Sequence, residues 1–251
     1  MLFHFTIFFW SVAFFFGMWG VASDESIPFW GGYLFSIGVL SLISLVSAKR
    51  ITKRLRNSFI PLLLSFSAPS LLSLIDARGE KFAFSLLAAA MFYVAFLALY
   101  RLRFAPTDRT AQSLLSIAAL SALFFFYSAA YGFYLNFSVP LATLVAMFAA
   151  GSFGAAYQTL YPILPKNRTK VALYASVIAF GIGELSWTLS FWPFGYLTAG
   201  AASLGFFFVL WDMTSALFLG TLSRKRTILY LLVVLLLIAL LVGTSPWAIR
   251  V

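Results

Sequence analysis

The chain has 251 residues, 63% of them hydrophobic and only 10% charged, with no cysteine, one histidine and a net charge of +10. Ordinary soluble domains run about 45–50% apolar and about 25% charged, so this composition excludes one and points to a membrane protein. Without cysteine there is no disulfide framework, thiolate chemistry or cysteine metal site, and basic residues confined to short breaks between apolar segments argue against nucleic acid.

A membrane-spanning helix needs about 20 mostly apolar residues. Nine segments approach or meet that need: residues 2–22, 28–47, 58–75, 82–100, 112–135, 139–163, 171–192, 196–220 and 227–245. The first has a second reading, a signal peptide cleaved after Ala22. Its start carries no Lys or Arg, however, and its apolar run exceeds the usual span of about 7–15 residues, so we read it as the first helix. His4 stands at its beginning without a nucleophile motif around it.

The third segment contains Pro61 and Pro69. Proline removes an amide donor and displaces the carbonyl four residues back, and nearby serines can satisfy the freed groups. An ordinary kink is the first reading, a broken helix lining a substrate site the second. In the fifth segment Tyr127, Tyr131 and Tyr134 share one helical face. Such a stripe packs between helices with its hydroxyls bonded to neighbours, or else lines a cavity for an amphiphile. The sixth carries Ala146, Ala150 and Gly154 at every fourth position, with Gly151 and Ala155 beside them. Small residues at that spacing let two helices approach closely, within one chain or between two copies.

The seventh and eighth segments flank the tight turn Trp192-Pro193-Phe194-Gly195, and each carries one carboxylate inside it, Glu184 and Asp212. Neither segment contains a Lys or Arg to pair with them. A charge near the bilayer centre costs roughly 2.5–3.5 kcal/mol on insertion scales, so such acids are usually paired, protonated or functional. Glu184 has Gly181 one turn before it and Thr188 one turn after; Asp212 shares a stripe with Ala201, Gly205, Phe208, Ser215 and Ala216. Both acids are therefore expected to turn toward another helix rather than lipid. The rise of about 1.5 Å per residue puts Glu184 roughly 12 Å below the outer end of its segment, with the two acids differing in height by roughly 8–12 Å. Glu184, Asp212, Thr188 and Ser215 form the candidate intramembrane polar site. Its roles are fixing helix packing as hydrogen-bonded acids, or carrying protons or cations.

Basic residues set the topology. Lys49, Arg50, Lys53, Arg54 and Arg56 follow the second segment, and Arg101, Arg103 and Arg109 the fourth. Lys166, Arg168 and Lys170 follow the sixth, and Arg224, Lys225 and Arg226 the eighth, making fourteen of seventeen. The other breaks hold Arg78, Lys81 and Arg250 with Asp24, Glu25, Asp76 and Glu80. Basic loops stay in the cytoplasm, which places the N-terminus inside and the C-terminus outside. Trp19, Trp30, Trp192 and Trp247 then fall at the outer surface and Tyr100, Tyr161, Tyr174 and Tyr230 near the inner one, as interfacial aromatics do. The inner clusters attract anionic headgroups, and Lys49, Arg50, Lys53, Arg54 and Arg56 are the candidate contacts.

No HExxH or phosphate-binding glycine loop is present, and no lysine lies inside a segment to form a Schiff base. Asn136-Phe137-Ser138 matches a glycosylation sequon but lies too close to the membrane to matter. The sequence assigns no catalytic residue, metal or cofactor.

Gly183-Glu184-Leu185-Ser186-Trp187, Trp192-Pro193-Phe194-Gly195-Tyr196, Leu222-Ser223-Arg224-Lys225-Arg226 and Pro246-Trp247 together resemble an uncharacterised family of multi-pass membrane proteins from small-genome bacteria. The resemblance covers residues 180–247 and implies a polytopic protein without an assigned activity. The sequence reads as an all-α polytopic bundle, one transmembrane domain over 1–251 in the cytoplasmic membrane, with lipids as partners. Its functional reading is a structural or lipid-interacting component. A proton- or cation-coupled transporter using Glu184 and Asp212 is the alternative, and an intramembrane lipid-modifying enzyme the second.

Overall fold

The computed structural model describes residues 2–23, 29–52 and 58–244. Lys53, Arg54 and Arg56 of the basic cluster lie outside the described residues, with Asp24, Glu25, Pro246, Trp247 and Arg250; the side chains of His4, Ala22 and Trp30 are likewise outside the description. The described residues form nine helices: α1 (Leu2–Ser23), α2 (Phe29–Thr52), α3 (Phe59–Leu72), α4 (Arg78–Phe104), α5 (Arg109–Asn136), α6 (Leu141–Leu160), α7 (Arg168–Leu189), α8 (Tyr196–Phe218) and α9 (Arg224–Thr244). Five of them, α4 to α8, are long and apolar enough among the described residues to cross a membrane. The protein is an all-α membrane protein.

The helix limits differ from the apolar runs for local reasons. Asp108 accepts from the amides of Thr110 and Ala111 and starts α5. The Asn167 side chain accepts from the amide of Lys170 and starts α7 three residues before its apolar run. Each satisfies an amide that the first helical turn leaves without a partner. Helix α3 is shorter than the expected 58–75, ending at Leu72. Its 14 residues span roughly 21 Å, less than a hydrocarbon core of about 30 Å. Pro69 lies inside it, and eleven of its residues are buried while Phe66 is exposed, so α3 is a mostly interior helix. Two of its serines are bonded: Ser65 meets the Ser44 hydroxyl of α2, and Ser70 bonds the Phe66 carbonyl of its own helix at 2.6 Å.

The chain divides into two compact units, Met1–Phe126 and Tyr127–Val251, with the boundary inside α5. In the first, α1 packs on α4 and α2, and α3 packs against α2 and α4. Phe14 stacks on Phe92 with ring centroids 4.3 Å apart, and Phe92 meets Phe96 edge-on. At one end of this unit Arg103 donates to the Ile51 carbonyl at 2.7 Å, filling a helix-end acceptor with a cation. That bond brings the basic ends of α2 and α4 together.

In the second unit α7 packs on α6 and α8, and α9 on α8. Tyr127 and Tyr131 are buried and spend their hydroxyls on packing, toward Ser152 at 2.6 Å and the Leu189 carbonyl at 2.8 Å. Helices α5 and α8 approach so closely that a Cβ on Gly200 would lie 3.0 Å from the Ser128 backbone. The small residues of α6 divide: Gly151 and Ala155 are buried, whereas Ala146 and Ala150 are exposed. Of the every-fourth stripe, Ala146 and Ala150 therefore face outward, while Gly154 is half-buried.

Candidate functional site

The two carboxylates that the sequence singles out end up in unlike surroundings. Helix α7 stops at Leu189 because the chain turns through Ser190–Gly195 into α8. Tyr174 near the start of α7 meets Phe218 at the end of α8, with centroids 5.1 Å apart, so the two helices run antiparallel. Measured from the shared turn, Glu184 lies roughly 8 Å along α7 and Asp212 roughly 24 Å along α8. The acids sit toward opposite ends of the hairpin, farther apart than the 8–12 Å expected from the apolar runs.

Asp212 is paired, although its own helix offers no cation. Helix α8 ends with Gly220 at φ +67°, the left-handed conformation that glycine adopts without a Cβ penalty. The Thr221 amide returns to the Ala216 carbonyl at 2.9 Å, closing the helix end. Ser223 then accepts from the Arg226 amide and starts α9. This turn points Arg226 back along α8, where its Nη2 lies 3.1 Å from Asp212 Oδ2. The Tyr230 hydroxyl donates to the same oxygen at 2.6 Å, and Arg226 Nε donates to that hydroxyl, also at 2.6 Å. The ring is closed: acid, guanidinium and phenol each touch the other two. Farther along, Gly205 of α8 faces Leu237 of α9. The stripe expected to turn toward another helix thus meets α9 at Gly205 and Asp212.

Glu184 is exposed, contrary to the expectation that it faces another helix. Among the described residues no hydrogen bond or ion pair engages its carboxylate. Gly183 takes the inward position instead, where a Cβ would meet Val145 and Ala149 at 3.5 and 3.6 Å. A helix turns by about 100° per residue, so burying Gly183 swings Glu184 to the outer edge of the α6–α7 contact. It lies there on an outer stripe with Leu173, Val177, Phe180, Trp187 and Phe191, all exposed.

Beside that edge lies an open-sided groove of about 500 Å³. Leu141, Ala142, Val145, Ala146 and Ala149 of α6 and Phe180, Gly183, Glu184 and Trp187 of α7 line it. Its single ionisable group is Glu184. The exposed alanines of α6 are what make the groove, since larger side chains there would fill it.

Thr188 and Ser215 do not join the acids. Thr188 bonds the Glu184 carbonyl at 3.0 Å, and buried Ser215 bonds the Trp211 carbonyl at 2.9 Å, each within its own helix. Of the candidate headgroup contacts, Lys49 and Arg50 are described and exposed at the end of α2. No group of three or more metal-ligating side chains occurs among the described residues.

The residues that sequence reasoning missed are Arg226, Tyr230 and the groove alanines. The first two had a signal: Asp212 and Tyr230 lie equally far in sequence from Thr221, as do Gly205 and Leu237. Residues equidistant from a tight turn meet in an antiparallel helix pair.

The profile of a family described as protein of unknown function (DUF5656) matches residues 28–244, from the second helix to the ninth. No curated protein and no solved structure gives a match.

Proposed function

The chain belongs to the DUF5656 family, whose description carries no activity, and we propose from its own geometry that it is a lipid-interacting component of the membrane. In this reading the α6–α7 groove takes an apolar chain from the surrounding bilayer. The observation that carries it is the groove itself: open-sided, floored by alanines, walled by Phe180 and Trp187, and of a volume at which small apolar ligands are held.

The wider placement rests on the basic clusters. All nine helices cross the cytoplasmic membrane, α3 with the help of the apolar residues Leu74 and Ile75 after it, and the N-terminus lies inside. Arg103 at the end of α2 supports this, as does the Tyr174–Phe218 contact that sets the exposed Arg168 and Lys170 at the same end as Arg224 and Lys225. Lys49 and Arg50, with Lys53, Arg54 and Arg56, would meet anionic headgroups there. A small-genome bacterial source is what the resemblance implies. The transporter reading requires Glu184 and Asp212 to act together, and the pairing of Asp212 with Arg226 and Tyr230 favours a packing role for that acid.

Native mass spectrometry of the protein released from bilayers tests the groove. The wild type is expected to carry a retained lipid that Ala146→Trp, which fills the groove from an exposed position, loses. Equal lipid retention by both proteins would overturn the reading.

A further inference from the structure

The chain-binding reading leaves one feature of the groove without a purpose, its carboxylate. An apolar chain needs only Leu141, Val145, the alanines and the aromatic walls, and an unpaired acid among them is a cost. A charged group in the bilayer interior is tolerated where something pairs it, and no described side chain pairs Glu184.

The neighbours of Glu184 narrow what that partner is. Phe180 lies one turn before it and Trp187 one turn after, both lining the groove and both open on the outer face, at 69% and 54% exposed. An aromatic face attracts a cation through its ring quadrupole, most strongly in Trp, and more so where water is excluded. A carboxylate between two such rings is a site for an ammonium group. The groove runs along α6 from Leu141 to Ala149, roughly 12 Å of helix, and Glu184 lies beside the middle of that run, because the adjacent Gly183 faces Val145 and Ala149. A floor of Ala142, Ala146 and Ala149 offers an apolar chain no polar partner.

We propose that the α6–α7 groove binds an amphiphile with an ammonium head, its charge against Glu184 between Phe180 and Trp187 and an apolar chain along the alanines of α6. This rests on the chain-binding reading and adds the chemistry of the head. The ammonium comes from one of two sources, the headgroup of a bilayer lipid or a free long-chain amine.

Dodecylamine and dodecanol, which share a chain and differ in charge, are the probes. Each is titrated at neutral pH into the intact protein in an uncharged detergent, and bound adducts are counted by native mass spectrometry. The wild type is expected to bind the amine at least about tenfold more tightly than the alcohol, the scale of a paired cation over an aromatic face. Glu184→Gln, a neutral substitution of similar size at an exposed position, is expected to abolish that preference while alcohol binding stays. Trp187→Leu should reduce the preference in part. Equal affinity for the two probes, or a preference that survives Glu184→Gln, would overturn the proposal. If Ala146→Trp expels both probes and yet the amine has no advantage, chain binding stands and the ammonium site falls. If Ala146→Trp expels neither, the groove reading falls with it. A Glu184-dependent dimer that excludes both probes would also overturn it, because a second copy would then occupy the groove. Displacement of the amine by phosphatidylethanolamine but not by phosphatidylglycerol identifies a lipid headgroup as the source; retention against both identifies a free amine.

Discussion

A part-exposed ion is tolerated where its partners are close, and Asp212 has two. Arg226 and Tyr230 turn a carboxylate that looks isolated in the sequence into a closed hydrogen-bonded ring, with the acid and the guanidinium still 27% and 37% exposed. Such partial exposure limits what the pair contributes. Asp212→Asn is therefore expected to lower stability only slightly in a denaturant titration, as the loss of a part-exposed ion pair does. Arg226→Gln should cost more, because it leaves the acid without its cation. The double variant should cost less than the two single losses together, which is the mark of residues that act through each other. Strict additivity would mean that the ring contributes nothing. Glu184 needed a different inference. Its sequence context gave a polar position in an apolar helix, but not the side it faces; the neighbouring Gly183 decides that by letting α6 come close.

Helices were legible from the sequence because apolar runs of spanning length are hard to imitate, and the turn at Trp192–Gly195 was legible because proline and glycine punctuate it. Helix ends were less so. Asp108 and Asn167 extend α5 and α7 beyond their apolar runs through side-chain bonds to the backbone, a signal that composition hides. The packing faces were harder still. The stripe of Ala146 and Ala150 has the spacing of a helix contact, yet it is the adjacent Gly151 and Ala155 that are buried. Spacing reveals which faces are narrow, and only the partner decides which one is used. The close approach of α5 and α8 makes the point testable. A methyl group on Gly200 would press on the Ser128 backbone, which has no flexible end to yield. Gly200→Ala is expected to destabilise the protein by on the order of 1–3 kcal/mol, the usual cost of overpacking. Gly195→Ala, where a Cβ would meet nothing within 4 Å, serves as its control. Equal melting of the two variants would contradict the packing described.

At the scale of the whole chain, the alternation of basic and non-basic breaks sets an expected topology, and each unit gathers some basic helix ends. Within the first, Arg103 ties the basic ends of α2 and α4; within the second, the basic starts of α7 and α9 lie at the C-terminal end of α8. What the sequence withheld is the groove, because it is a property of two helices that expose small residues side by side. The account stands on that groove opening into lipid. With no native cysteine in the chain, a single nitroxide at Ala146→Cys reports its surroundings without background. In bilayers, the spin label is predicted to collide readily with oxygen, which concentrates in the hydrocarbon, and poorly with a water-soluble nickel chelate. The opposite ranking, with the chelate dominant, would place the groove in water and contradict the account.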